Sequence, residues 1–101
     1  MPTAPLTPAE IEEGLGELPG WAYAEGRLTR GYRLPSHFAA AAFTLHIAGI
    51  QDELNHHSDL TLGYRTVSLA VHTHDADGAV TAKDLALAAR VTAAAPAHGA
   101  E

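Results

Sequence analysis

The 101-residue sequence has no cysteine and a single lysine, Lys83. The first absence excludes disulfides, thiolate metal sites and a cysteine nucleophile. The second leaves five scattered arginines (27, 30, 33, 65 and 90) to make up six cations against twelve anions, a formal charge of −6. Binding to a phosphate backbone draws on clustered positive charge, so nucleic acid is an unfavourable partner, and a polyphosphate substrate is disfavoured for the same reason. Long apolar runs are also missing. Residues 38–50 form the one strongly apolar stretch, interrupted by Thr44, His46 and Gly49, whereas a membrane-spanning helix needs about 20 apolar residues. No basic segment precedes an apolar run at the N-terminus, so no membrane partner and a cytoplasmic location are expected.

What is present is a globular composition, 47% apolar and 18% charged. That is enough for a core that needs no staples, and it predicts a single domain over 1–101 with its core at about 6–95. Histidine is the one residue in excess. There are seven, and four of them (His56, His57, His72 and His74) fall within 19 residues.

The punctuation along the chain predicts seven elements. Thr7-Pro8-Ala9-Glu10 is a capping box with proline at the first helical position, and Ile11, Leu15 and Leu18 continue it as a short amphipathic helix stopped by Leu18-Pro19-Gly20. From Trp21 to Leu34 the period changes to two. Glu25-Gly26 is the turn of a hairpin, with Leu28, Arg30, Tyr32 and Leu34 sharing one face. Ser36 is a candidate cap for a helix from about His37 to Leu54, with a stripe of Phe43, Ile47, Ile50 and Leu54 widened by Phe38, Ala42 and Leu45. So apolar a helix is expected to be buried on more than one side, by the sheet and by another subunit. Leu60–Leu62 and Arg65–Thr73 read as strands, the longer one placing Val67, Leu69 and Val71 on one face. Asp75–Gly78 is a loop, and Thr81-Ala82-Lys83-Asp84 is a second capping box opening a helix with Leu85, Ala88, Ala89 and Thr92 inward. Pro96 and Gly99 end it, and the tail to Glu101 is expected to fray. The fold class is α+β in the order α-β-β-α-β-β-α: a four-stranded antiparallel sheet with helices on one face.

The histidines cluster where these elements end. His56 and His57 follow the second helix, with Asn55 as its C-terminal cap, and adjacent side chains there diverge by roughly 100°. One ring is therefore expected to enter a cleft while the other is held sideways. If the long strand continues, His72 and His74 share a face, about 6.6 Å apart. Imidazoles exchange protons near neutrality, so two or three around one pocket suit an acid–base reaction such as a dehydration or tautomerisation. A metal site built from His56, His72 and His74 is the alternative reading of the same cluster. His37, His46 and His98, each isolated, read as surface or capping residues.

Asp52-x-x-Asn55-His56-His57-Ser58, then Tyr64, then Val67-x-Leu69-x-Val71-x-Thr73-His74, then Gly78 and Thr81-x-x-Asp84, resembles the pterin-4a-carbinolamine dehydratase family. Leu18-Pro19-Gly20-Trp21 and Leu28-x-Arg30 fit the same family upstream, so the resemblance covers about Leu6 to Val91. The departures are Ser58 where proline is usual, Asp52 where glutamate is common, Leu60 where tryptophan is often found, and Val80 for leucine. The resemblance implies a lyase that dehydrates 4a-hydroxytetrahydrobiopterin to quinonoid dihydropterin, the pterin being substrate, with no cofactor and no metal. It implies that His56 and His74 transfer protons and that His57 contacts the pterin as a third catalytic residue. By the same resemblance Asn55, Ser58, Thr73 and Asp75 line the substrate site, while Asp52 and Asp84 support it, Asp52 by orienting a histidine. The expected partners are a pterin and further copies of the chain in a homodimer or homotetramer. A non-catalytic dimerisation or binding module of the same fold is the rival function.

Overall fold

The structure is a computed structural model and describes residues 4–101. The first helix, α1 (Pro8–Leu15), begins at the expected capping box: Thr7 Oγ1 accepts from the Glu10 amide, and the Glu10 carboxylate accepts from the Thr7 amide. It ends at Leu15, short of Leu18, because the chain turns at Gly16 and drops Leu18 into the core.

Strands β1 (Ala22–Ala24) and β2 (Arg27–Arg33) form the hairpin. Glu25 and Gly26 both have positive φ, 52° and 77°, which is the turn geometry that matches the twist of a two-residue hairpin. Four strands follow the order β1-β2-β4-β3, all antiparallel, with β3 at Asp59–Leu62 and β4 at Thr66–Val71. Leu28 pairs with Val71 and Tyr32 with Val67, so these apolar side chains lie on one sheet face and build the core with the helices.

The second helix, α2 (His37–Leu54), has the expected bounds. Ser36 Oγ accepts from the Ala39 amide at one end, and Asn55, at φ 51°, turns the chain left-handed at the other. The side chains on its faces differ from expectation. Phe43, Ile47 and Ile50 are buried, joined by Ala40 and Gln51, but Phe38 and Leu45 are 84% and 76% exposed. They lie on the side of α2 that faces away from the sheet, so within one chain they do not widen the buried stripe. Deleting Phe43, which has no exposure and meets the Tyr32 ring edge-on at 5.2 Å, would cost about 3–5 kcal/mol.

The third helix, α3 (Ala82–Ala94), opens at the second capping box and buries Asp84, Leu87, Ala88 and Val91. Leu85 is half-buried and Ala89 exposed, so the inward face is rotated from the one expected. Thr92 does turn inward, accepting from the Trp21 indole N–H at 2.9 Å and donating to the Ala88 carbonyl.

The C-terminal tail does not fray. A 3-10 turn at Ala95–His98 and a left-handed Gly99 return the chain to β2, where Glu101 and Arg33 exchange backbone hydrogen bonds of 2.9 and 3.3 Å. His98 rests on Phe43, ring centroids 5.1 Å apart, and its Nε2 is 2.8 Å from His46 Nδ1. Burial first, and then the neighbouring His46, hold the His98 imidazole below the ordinary histidine range. No helix among the described residues is long and apolar enough to cross a membrane.

Candidate active site

Three segments converge at one end of the sheet: the turn after α2, the turn after β4 and the start of α3. They enclose a cavity of about 220 Å³. His56 and His57 line it from the first segment, Thr73, His74 and Asp75 from the second, and Lys83 from the third. Asn55 completes the wall.

The first segment is held by a helix-terminating turn. Asn55, left-handed, donates its amide to the Asp52 carbonyl at 3.2 Å, and His56 donates to the Gln51 carbonyl at 2.9 Å, the paired bonds of a Schellman motif. The chain's reversal sends the two imidazoles apart, as expected of adjacent residues at a helix end. His56 turns inward and is buried, its Nε2 2.6 Å from Asp84 Oδ1. His57 stays largely exposed, its Nε2 3.0 Å from Asp52 Oδ1. The histidine within hydrogen-bond reach of Asp52 is thus His57, at the exposed edge of the site.

Asp84 is fully buried and sits at the third helical position of α3, where the capping box places its carboxylate. Besides His56 it accepts from the Thr81 amide and from Thr73 Oγ1, each at 2.8 Å. Thr73 Oγ1 and Thr81 Oγ1 are also 2.6 Å apart. A buried carboxylate with three donors has its oxygens satisfied, and the set ties together three segments: the turn after α2, the end of β4 and the start of α3. Thr73, expected to line the pocket, therefore does so while its hydroxyl fixes Asp84.

The second segment corrects the expectation for His72 and His74. The strand ends at Val71, so the two do not share a strand face. Thr73 makes an isolated bridge to Ala79, and His74 begins a 3-10 turn over His74–Ala76 closed by left-handed Asp77 and Gly78. That turn carries His74 and Asp75 to the cavity and leaves His72 outside its lining. Because His72 is not brought to His56 and His74, the three-nitrogen metal site is not assembled. Among the described residues no group of three or more His, Asp or Glu side chains is arranged to hold a metal.

Ser58 is also outside the lining. Its amide donates to Gln51 Oε1 at 2.9 Å and its hydroxyl donates to the same oxygen. Lys83 is the lining residue that sequence reasoning passed over; its signal was being the only lysine, one residue before Asp84 in the capping box.

The arrangement is a histidine with a buried carboxylate partner and a second, exposed histidine lining the same small polar cavity. With Asp84 as acceptor the His56 proton sits on Nε2, and Nδ1 remains as the ring's accepting nitrogen. His74 has no protein hydrogen-bond partner among the described residues. Such a pair can remove one proton and deliver another within one bound ligand.

The family model described as pterin 4 alpha carbinolamine dehydratase matches residues 4–94. A Streptomyces coelicolor protein carrying the name "putative pterin-4-alpha-carbinolamine dehydratase" is 65% identical over 100 residues, 99% of each chain. Its namesake in Streptomyces avermitilis is 61% identical over the same share. Among solved structures, the transcriptional coactivator/pterin dehydratase from Brucella melitensis superposes with a TM-score of 0.82 at 30% identity, covering 88% of this chain and 96% of that one. A pterin dehydratase-like protein described as a RuBisCO assembly factor shares the fold alone, with a TM-score of 0.58 at 22% identity. Full-length coverage by close relatives, and a fold that assembles the histidine motif around one cavity, lead to one assignment: the chain belongs to the pterin-4-alpha-carbinolamine dehydratase family.

Proposed function

We propose that the protein is a hydro-lyase that dehydrates 4a-hydroxytetrahydrobiopterin, or a related 4a-hydroxypterin, to quinonoid dihydropterin and water. The observation that carries this reading is the His56–Asp84 pair set across one cavity from His74. The reaction breaks the C4a–O bond and one ring N–H bond. His56, its Nε2–H fixed on Asp84, takes the ring proton on Nδ1. His74, whose ring has no hydrogen-bond partner among the described residues, protonates the departing hydroxyl, which leaves as water. The nitrogen lone pair left behind forms the new C=N bond, so no electron acceptor is needed. His57, steadied by Asp52, contacts the ring edge, and Asn55, Thr73 and Asp75 supply neighbouring polar groups.

The reaction is placed in the cytoplasm, with the protein acting as a homo-oligomer. Phe38 and Leu45 support assembly, because two large apolar side chains on one outer helix face gain by burial against a second copy.

Turnover of 4a-hydroxytetrahydrobiopterin, followed by its ultraviolet absorbance with and without chelator, tests the function. Accelerated dehydration unchanged by chelator supports it. A chelator-sensitive rate would favour the metal reading, and no acceleration would favour a binding module.

A further inference from the structure

Gln51 has no part in the histidine motif, yet it reaches both ends of the segment that carries His56 and His57. It lies one turn before the end of α2 and is 5% exposed. Its backbone carbonyl accepts from the His56 amide at 2.9 Å. Its side-chain Oε1 accepts from the Ser58 amide at 2.9 Å and from the Ser58 hydroxyl. The two histidines are therefore bracketed between bonds to a single residue. The brace is tied to α2, of which Gln51 is a buried member. No other side chain among the described residues holds the backbone of this turn.

We infer that Gln51 is a positioning residue for the acid–base site: it fixes the His56–Ser58 turn so that His56 meets Asp84 while His57 meets Asp52. Both pairings need the backbone between them set, because the rings diverge from adjacent positions and a rotation that improves one contact spoils the other. The Ser58 donors matter for the same reason. A serine amide is free to hydrogen-bond elsewhere and its φ is not fixed, so the turn needs an external acceptor. A misplacement of about 1 Å in such a constellation can cost on the order of 10²-fold in rate.

The inference rests on the dehydratase reading for its catalytic readout alone. Three variants test it: Gln51→Ala, Gln51→Glu and Gln51→Ala combined with Ser58→Pro. Gln51→Ala is expected to lower kcat by roughly 10–100-fold with a much smaller change in KM. Gln51→Glu keeps the acceptor and should retain most of kcat at alkaline pH, while its added negative charge moves the acid limb of the pH–rate profile upward. Proline at 58 removes the amide donor and the hydroxyl together and fixes φ, so the double variant is expected to recover activity that Gln51→Ala loses. A second readout is independent of turnover: NMR hydrogen exchange of the Ser58 amide and the imidazole titrations of His56 and His57. Gln51→Ala should speed that exchange and shift both titrations, with the remaining protein folded by its other amides. Unchanged exchange and unchanged titrations in Gln51→Ala would overturn the inference, as would a double variant no more active than Gln51→Ala in an active enzyme. If the wild-type protein dehydrates no pterin, the proposed function fails while the NMR result still decides the role of Gln51.

Discussion

His56 Nε2 lies 2.6 Å from Asp84 Oδ1, and Asp84 has no solvent exposure. The contact joins the turn after α2 to the first turn of α3, and Thr73 brings the end of β4 to the same carboxylate. One buried anion thus sets the ring orientation of a cavity-facing histidine and ties the three segments that form the cavity.

The Asp84 carboxylate can be tested without changing its volume. Asp84→Asn removes the anion and presents an amide that can donate, so the His56 tautomer is no longer fixed; kcat should fall by about 10²-fold or more, measured by dehydration rate. Asp84→Ala goes further, leaving the donors of His56, Thr73 and Thr81 without an acceptor in a buried site. Urea denaturation should show a loss of about 3–5 kcal/mol. An Asp84→Asn protein with wild-type kcat would remove Asp84 from the mechanism.

His57 and His74 are expected to separate kinetically. His57 is held on Asp52 at the exposed edge, so His57→Ala should raise KM more than it lowers kcat. His74→Ala should lower kcat by about 10²–10⁴-fold, the usual worth of a general acid. Steady-state kinetics with a 4a-hydroxypterin distinguish the two patterns, and interchanged effects would reverse the assignment.

Much of this arrangement was legible in the sequence because local chemistry decided it. Ser36 and Asn55 bound α2, and Thr7 and Thr81 open α1 and α3, since each satisfies helix-end groups that no distant residue needs to supply. The inward face of α3 was misread because alanine fills so many of its positions that periodicity offers little contrast; Leu87 and Val91 are buried where Ala89 was expected. Phe38 and Leu45 are left exposed by a single chain, because residue type says nothing about which apolar faces one chain covers and which a second copy would. His72 and His74 were separated by a strand that ends at Val71, a consequence of the Thr73–Ala79 bridge that alternation cannot anticipate. Gln51 and the burial of Asp84 depend on contacts between elements, 7 residues apart for Gln51 with Ser58 and 28 for Asp84 with His56.

The exposed face of α2 predicts assembly. Leu45→Glu places a charge on that face without touching the core, so light scattering should show the oligomer shifted toward a monomer of 10.6 kDa, while circular dichroism stays unchanged. A wild-type protein that is already monomeric at micromolar concentration would contradict the assembly.

The burial of His98, with His46 beside it, predicts a pH dependence of stability. The folded-state pKa of His98 lies below its ordinary value of 6.5, so the unfolded chain binds the proton more readily. Stability from this group is therefore present above pH 6.5 and is lost as the pH falls through the folded-state value. Thermal melts at pH 7.5 and about pH 5 should show a drop in Tm that is smaller in His98→Phe, which keeps an aromatic ring against Phe43 but cannot titrate. An equal drop in both proteins would show that His98 contributes nothing to it.

The most direct measurement is the single-turnover decay of 4a-hydroxytetrahydrobiopterin with the wild-type protein, His56→Ala, His74→Ala and the double variant. Fast first-order dehydration is expected of the wild type, with a rate lower by about 10²–10⁴-fold in each single variant. The double variant is expected to lie not far below either single one, because the two imidazoles act on one step. A wild-type rate equal to the spontaneous decay, or single variants as fast as the wild type, would contradict acid–base dehydration by His56 and His74.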